Sequence, residues 1–548
     1  MIICPSSLVS NWAKEFDKWI GCSQPQRVTI QNGQQDDRMR VFANSHQGQV
    51  AILSYDIARL HLETLRTSLP LALLVVDEGH RLKSTSGSRT LTALAAIPTQ
   101  SRLCLTATPI QNNLGEFYAL ANFSRPGVFG DLANFRKLYE RPMSRAASGN
   151  RTTQRERDSG ATQSRAFDEI TKTFMLRRLQ SEVLRSMLPP RTEVLLFCQP
   201  TERQCELYRT ITNNSTIYRQ NAAGCSLDAL TSLTAVRKVC SHPCLYEDSQ
   251  YGRTEDLALS GKLVVLDALL RSIKEYTSDK VVLVSNFTSV LSLIERILLI
   301  PRQYSYTRLD GTTNAKTRQS VVDSFNRDVN KFCFLLSSKA GGCGLNLVGA
   351  NRLVLLDPDW NPANDIQSMG RVYRQGQTKP TFIYRLLTSG TVEEVIFQRQ
   401  VKKGNLATMA MDKKKAFSSQ ITSEELIDCF TLKTDCACDS KRKLGWKSDY
   451  DSSEPTGSLA TQGCLDDPLA QAAKATSETL SYIQVVKEDI NGELIPSDGE
   501  ADDQPGYNSS DEEECEFSAD DVTPTSGSHS NGKEASFYDT DEEEEFEL

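Results

Sequence analysis

The 548-residue chain has no uninterrupted apolar run of about 18 residues, so no helical membrane span is indicated and no membrane partner is expected. Its opening, Met1-Ile2-Ile3-Cys4-Pro5, lacks the basic stretch of a secretory leader. The 15 cysteines are scattered along a long chain, which points to reduced thiols in a cytosolic or nuclear setting. Cys240-Ser241-His242-Pro243-Cys244 has the look of a metal clip, but a second ligand pair at zinc-site spacing is missing, so no zinc is expected there. From Asp449 onward the chain is short of both basic and apolar residues. It holds about 28 acidic against about 3 basic residues, which leaves the preceding part near +17 although the whole carries −8. A segment so charged and so poor in hydrophobics does not bury enough surface to fold alone. The basic body suits a polyanionic partner such as nucleic acid, or is a solvated surface.

What is present is patterned. Short apolar runs alternate with helix-like stretches from Met1 to about Pro109 and again from Lys262 to Leu387, a β-α rhythm that predicts two parallel sheets. Between them, from about Gly115 to Gly261, helix-compatible segments dominate. There Leu188-Pro189-Pro190-Arg191 ends a helix and begins an extended segment. Met143 to Ser164, polar and poor in hydrophobics, is expected to be a disordered loop. In the first series Trp12, Phe16 and Trp19 fall at i, i+4, i+7, so a helix follows Pro5-Ser6-Ser7-Leu8, with its aromatics in the core and its small-residue start able to hold a phosphate. The expected domains are a first lobe over 1–125, a helical region over 126–260, a second lobe over 261–410, and a basic linker leading into an acidic disordered tail over 411–548.

The chemistry concentrates at strand ends. Leu71 to His80 reads L-A-L-L-V-V-D-E-G-H, a run suited to a buried parallel strand that delivers Asp77 and Glu78 to its carboxyl end, where open parallel sheets bind ligands. One carboxylate can hold Mg²⁺ beside phosphates while its neighbour orients the attacking water; the same residues equally open a plain turn. Leu105-Thr106-Ala107-Thr108-Pro109 ends another strand in hydroxyls, as a nucleotide sensor or an ordinary turn. Ser337-Ser338-Lys339-Ala340-Gly341-Gly342, with Gly344-Leu345-Asn346, is a glycine-rich loop whose amides, hydroxyls and lysine can approach a phosphate backbone. Gln367, Arg371 and Arg374 at i, i+4, i+7 predict one helical face carrying two arginines, as an arginine-finger arrangement or as surface salt bridges.

In this order the segments V-V-D-E-G-H-R-L-K, L-T-A-T-P-I-Q-N-N, L-D-G-T-T, S-S-K-A-G-G-C-G-L-N-L and D-W-N-P-A-N-D-I-Q-S-M-G-R-V-Y-R-Q-G-Q resemble the SWI/SNF class of helicase superfamily two, over about residues 1 to 410. D-E-G-H-R-L-K, C-S-H-P-C-L, G-T-V-E-E-V-I-F-Q-R-Q and the F-T-L segment at Phe430 look most like its homologous-recombination branch, the B-type paralogue. The resemblance implies an α/β fold of two RecA-like parallel-sheet lobes with helical insertions between them and a disordered acidic tail. It implies an ATP-driven, Mg²⁺-dependent translocase on double-stranded DNA that assists a eukaryotic RecA-like recombinase filament in the nucleus, with chromatin as a further partner. By motif, Asp77 would bind Mg²⁺ and Glu78 activate water, with Arg371 and Arg374 reaching the triphosphate. Asp77, His80, Thr106, Thr108, Gln367 and Gly344 would line the nucleotide site; Pro5, Ser6, Ser7, Ser338, Lys339 and Asn346 would contact DNA.

The chain departs from the family pattern at Ala107, where glycine is common, and at Gln375-Gly376 after Tyr-Arg. No G-x-x-x-x-G-K-[ST] loop occurs anywhere in it, so an N-terminal truncation is expected, with a free sheet edge beside the Met1 strand. A non-hydrolysing scaffold and a nucleosome remodeller are the alternative readings. Ser509-Ser510 and Thr540 precede acidic runs, as acidophilic kinases prefer, and Ile483-Gln484-Val485-Val486 is expected to add as a strand to a small modifier protein.

Overall fold

The structure, a computed structural model, describes residues 1–20, 26–30, 35–43, 49–67, 71–82, 89–106, 114–146, 153–178, 183, 187–214, 227–246, 255–341, 344–411, 423–434, 438–444, 467–488 and 494–496. Five parallel strands build the first lobe: β1 (Ile2–Cys4), β2 (Gln26–Thr29), β3 (Gln49–Ser54), β4 (Leu71–Val76) and β5 (Thr99–Cys104), in the order β2-β3-β1-β4-β5. Alternate residues of β1 serve opposite faces. Ile3 joins Leu53, Leu74, Val76 and Phe123 in one core, whereas Ile2 and Cys4 join Ile52 and Val75 in another, covered by Leu8 and by Val9 and Ala13 of helix α1 (Val9–Ile20). The expected free edge beside Met1 is not there, because β1 is clasped between β3 and β4; the edges are β2 and β5.

The second sheet contains β6 (Arg191–Cys198), β7 (Val281–Ser285), β8 (Tyr306–Leu309), β9 (Cys333–Ser337), β10 (Arg352–Leu355), β11 (Thr381–Thr388), β12 (Leu480–Glu488) and β13 (Leu494–Pro496), ordered β13-β12-β6-β11-β10-β7-β9-β8. From β6 to β8 the pairing is parallel, and β12 and β13 add antiparallel at one end. Two RecA-like parallel-sheet lobes are therefore present. The second draws its strands from beyond 261–410, with β6 from the helical region and β12 from the acidic end.

Two expectations about order are corrected. Met143 to Ser164 is largely helix: Arg141–Ala146 is helical, and a second helix, Gln154–Lys172, starts at a reciprocal cap between Thr153 and Glu156. That helix buries Phe167 against Phe129, ring centroids 5.4 Å apart, and packs Gly160 where a Cβ would fall 2.3 Å from the Ala146 Cβ. The segment from 411 on is not tail throughout. Helices Ser423–Phe430, Asp439–Leu444 and Asp467–Ala475 precede β12, whose Leu480, Tyr482, Ile483 and Val485 are buried in the second lobe. Ile483-Gln484-Val485-Val486 does pair as an added strand, but with β6 of its own chain. Residues 497–548, including both serine/threonine-acid clusters, lie outside the described residues.

A buried ion cluster joins the second sheet to the helix Pro362–Met369. Arg385 on β11 donates to Glu193 on β6, to Asp365 Oδ2 at 3.1 Å and to Gln400 Oε1 at 3.3 Å. Gln400 Nε2 donates to the same Asp365 oxygen at 2.7 Å. Burial pushes the Asp365 carboxyl up to about 6, outweighing the opposing pull of Arg385. Glu193, equally buried, is held below the usual range by Arg385 and Arg191.

Two outcomes follow from this architecture. Deleting Glu500 onward is expected to leave the melting temperature within about 2 °C, whereas deleting Asp449 onward strips β12 from β6 and should lower it by more than about 10 °C in a calorimetric scan. Asp365 takes up its proton at higher pH when folded than when unfolded, so its contribution favours the fold below about pH 4 and is lost as pH rises through about 6. The stability of wild type minus that of Asp365→Asn should fall by about 2–3 kcal/mol between pH 4 and 7.5 in urea titrations.

Candidate active site

β4 is an inner strand of its sheet, and the turn that follows it is locked from several sides. Asp77 N–H donates to the Ile3 carbonyl at 2.8 Å, and its own carbonyl accepts from the Tyr55 hydroxyl at 2.5 Å. Its carboxylate is oriented through both oxygens: Oδ1 accepts the Glu78 N–H at 2.9 Å and Oδ2 the indole N–H of Trp12 at 2.7 Å. Glu78 has φ +52°, a left-handed backbone that costs a residue other than glycine about 1 kcal/mol or more. Gly79 is needed for space, because a Cβ there would lie 2.1 Å from Cys104 Sγ, and its N–H donates to the Leu105 carbonyl at 2.9 Å. The neighbouring thiols stay protonated: burial, then the charge of Asp77, pushes Cys104 up to about 11 and Cys4 up to about 12.

The second lobe faces this turn with the helix Pro362–Met369, whose first turn is fixed by Asn361 accepting the Ala363 N–H and by proline at the start. Gln367 Nε2 lies 3.5 Å from Glu78 Oε1, which brings two predicted site residues together across the lobes. The expectation of one helical face for Gln367, Arg371 and Arg374 is corrected: the helix stops at Met369, with Gly370 as its cap, and both arginines lie in the turns beyond. Gly370 and the short loop after it take over because the chain must return to β11. Arg371 is buried, its carbonyl accepting the Leu347 N–H at 3.0 Å. Arg374 Nη1 donates to the Leu345 carbonyl at 3.2 Å; burial lowers its guanidinium, and the charge of Glu15 on α1 opposes that.

The glycine-rich loop meets the first lobe at Gly344, where φ is +67° and a Cβ would fall 2.2 Å from Leu8 Cδ2. This glycine packs against Leu8. Pro5 is buried, Ser7 half-buried, and Ser6, Lys339 and Asn346 are exposed. Ser338 Oγ donates to Asn286 Oδ1 at 2.6 Å. Asn286 is held in turn by Asp357, which accepts its N–H at 2.9 Å and also the Ser285 hydroxyl. Asp357 was not singled out in the sequence, although V-L-L-D repeats the pattern of an apolar strand ending in an acid. Thr106 follows β5; Thr108 and the side chain of His80 lie outside the described residues.

Two other readings resolve structurally. Trp12 and Phe16 are part-buried as expected of core aromatics, but Trp19 is 72% exposed. His242 in the cysteine segment is buried, with Nδ1 accepting the Cys244 N–H at 3.2 Å and Nε2 lying 2.9 Å from the Asp256 carbonyl. It caps a turn.

Comparison with known proteins identifies the family of the chain. Residues 1–245 match the SNF2-related domain and residues 261–376 the helicase conserved C-terminal domain. The chain is 41% identical over 476 residues to the DNA repair and recombination protein RAD54B of Gallus gallus, covering 80% of this chain and 50% of that one. The RAD54B protein of Homo sapiens is 40% identical, covering 80% and 51%. The DNA repair and recombination protein RAD54-like of Mus musculus is 36% identical over 526 residues, covering 88% and 70%. The chain thus spans about half the length of the RAD54B relatives. Among solved structures it is similar to the Sulfolobus solfataricus SWI2/SNF2 ATPase core in complex with dsDNA, at 22% identity and a TM-score of 0.37, covering 79% of this chain and 86% of that one. By the two matched domains and by these relatives, the chain belongs to the SNF2-related family that includes the RAD54B and RAD54-like proteins.

Proposed function

We propose that the chain forms the two-lobed motor of a nuclear, ATP-driven translocase and remodeller on double-stranded DNA that assists a RecA-like recombinase in homologous recombination. The observation that carries this reading is the meeting of Glu78 and Gln367 across the lobes, with Arg371 and Arg374 just beyond. Asp77 and Glu78 are hard oxygen donors on a fixed turn at the end of a parallel strand, a donor set that suits Mg²⁺, which keeps several waters and takes one or two carboxylates. Asp77 would hold the ion, and Glu78 would accept a proton from the attacking water. Arg371 and Arg374 would approach the triphosphate from the second lobe, closest when the lobes are shut. Bound Mg²⁺ would neutralise charge on the phosphates. Pro5 to Ser7, Ser338, Lys339 and Asn346 would face the DNA backbone from both lobes, so that opening and closing over ATP steps the protein along the duplex.

The absence of G-x-x-x-x-G-K-[ST] favours a second reading for the chain taken alone, a DNA-binding scaffold without turnover, because gripping β and γ phosphates needs backbone amides and a lysine.

Three measurements test these readings. In a form of the protein that hydrolyses ATP, Arg374→Ala should lower DNA-stimulated ATP turnover about 10³-fold or more while leaving duplex binding within about 2-fold; turnover within a few-fold of wild type returns the arginines to structural roles. The 548-residue chain alone is expected to hydrolyse no more ATP than its Glu78→Gln control and still to bind duplex in a salt-sensitive manner; robust Glu78-dependent hydrolysis rejects the scaffold reading. If the acid-rich end competes with DNA for the basic body, removal of Glu500–Leu548 should tighten duplex binding at low salt. That gain should fade as salt rises, and equal affinities at low salt reject the competition.

A further inference from the structure

Trp12 has so far been read only as a core aromatic, yet it touches the residue on which the site depends. Its ring is partly buried against the cluster of Ile2, Cys4, Leu8, Val9, Ala13, Ile52 and Val75, and its indole N–H reaches Asp77 Oδ2 at 2.7 Å. A buried indole N–H needs an acceptor, and here the acceptor is a carboxylate, which makes the bond charge-assisted. Asp77 Oδ1 is already fixed by the Glu78 N–H at 2.9 Å. A carboxylate held at one oxygen by its own backbone and at the other by a ring set in the core has lost its freedom to rotate. The remaining lone pairs then keep one direction.

We propose that Trp12 is a positioning residue for the metal-holding carboxylate: its indole N–H fixes Asp77 in the orientation in which the remaining lone pairs of its oxygens face the nucleotide cleft. The inference rests on the assignment of Asp77 to Mg²⁺ made above. It adds a device that ties α1, the helix following Pro5 to Leu8, to the metal position. Hydrogen-bond partners just outside a metal's ligands commonly change its affinity by about 10- to 100-fold when removed. A tryptophan that merely fills the core would not.

The test separates the two roles. Trp12→Phe keeps an aromatic ring in place and removes the N–H. In a form of the protein that hydrolyses ATP, the Mg²⁺ concentration for half-maximal ATP turnover should rise about 10-fold, and binding of Mn²⁺ with nucleotide, followed by electron paramagnetic resonance without turnover, should weaken by a similar factor. An unchanged Mg²⁺ midpoint and unchanged Mn²⁺ binding overturn the proposal. The contact itself is read in the 548-residue chain, whose four tryptophans give four indole N–H resonances. The one missing in Trp12→Phe should move upfield in Asp77→Ala, and a resonance that stays in place overturns the proposal. Should Trp12→Phe not fold, the Asp77→Ala chain still decides, with selective fluorination of tryptophan identifying the ring. Failure of the proposed function would look different: ATP turnover indifferent to Glu78→Gln, with the indole shift still present.

Discussion

A guanidinium buried among strands has to be matched wherever the chain places it, and Arg385, 8% exposed, imposes that demand on the second lobe. Leaving a buried charge without its partners costs about 3–5 kcal/mol, more than most single contacts supply. Glu193 must therefore stand opposite on β6, which agrees with the Arg385-to-Leu195 register of the two strands and keeps them from slipping. Asp365 must come down from the helix Pro362–Met369, and Gln400 must reach in from the helix Val392–Met411. The helix that presents Gln367 to the first lobe is thus seated by a charge two residues away from it in sequence.

Much of this was legible in the residues, and the legible parts share a cause. Apolar runs of β-branched and leucine residues ending in acids or hydroxyls gave both sheets, because such runs have few other ways to bury themselves. Leu188-Pro189-Pro190-Arg191 marked the start of β6 through the restraint proline places on its neighbour. The errors came where composition was read without geometry. Thr153-Gln154-Arg155-Glu156 carries a helix-start signature inside a stretch judged by its polarity, and the fold followed the signature. β12 was hidden because its apolar alternation sits within an acid-rich segment and pairs with a strand far back in the sequence. The reach of Trp12 to Asp77, 65 positions apart, left no local trace at all.

The two lobes meet through small and large residues set opposite each other. Gly344 carries two independent reasons to be glycine, a left-handed backbone and the crowding of Leu8. Leu8 in turn belongs to the cluster that includes the Trp12 ring. The contact between Gly344 and Leu8 therefore also touches the cluster that supports Asp77, beside the approach of Gln367 to Glu78.

The placement of β12 has a consequence for how the protein is made. β6 is synthesised well before its antiparallel neighbour, and until residue 488 has left the ribosome one edge of the central parallel array stays uncovered, with Val194 and Leu196 beside it. Folding of the second lobe during synthesis can begin with β11 but cannot finish before the end of β12. Messages that stop prematurely anywhere between the helix Val392–Met411 and β12 would release a chain whose second sheet is open along β6, a natural client for chaperones and proteases.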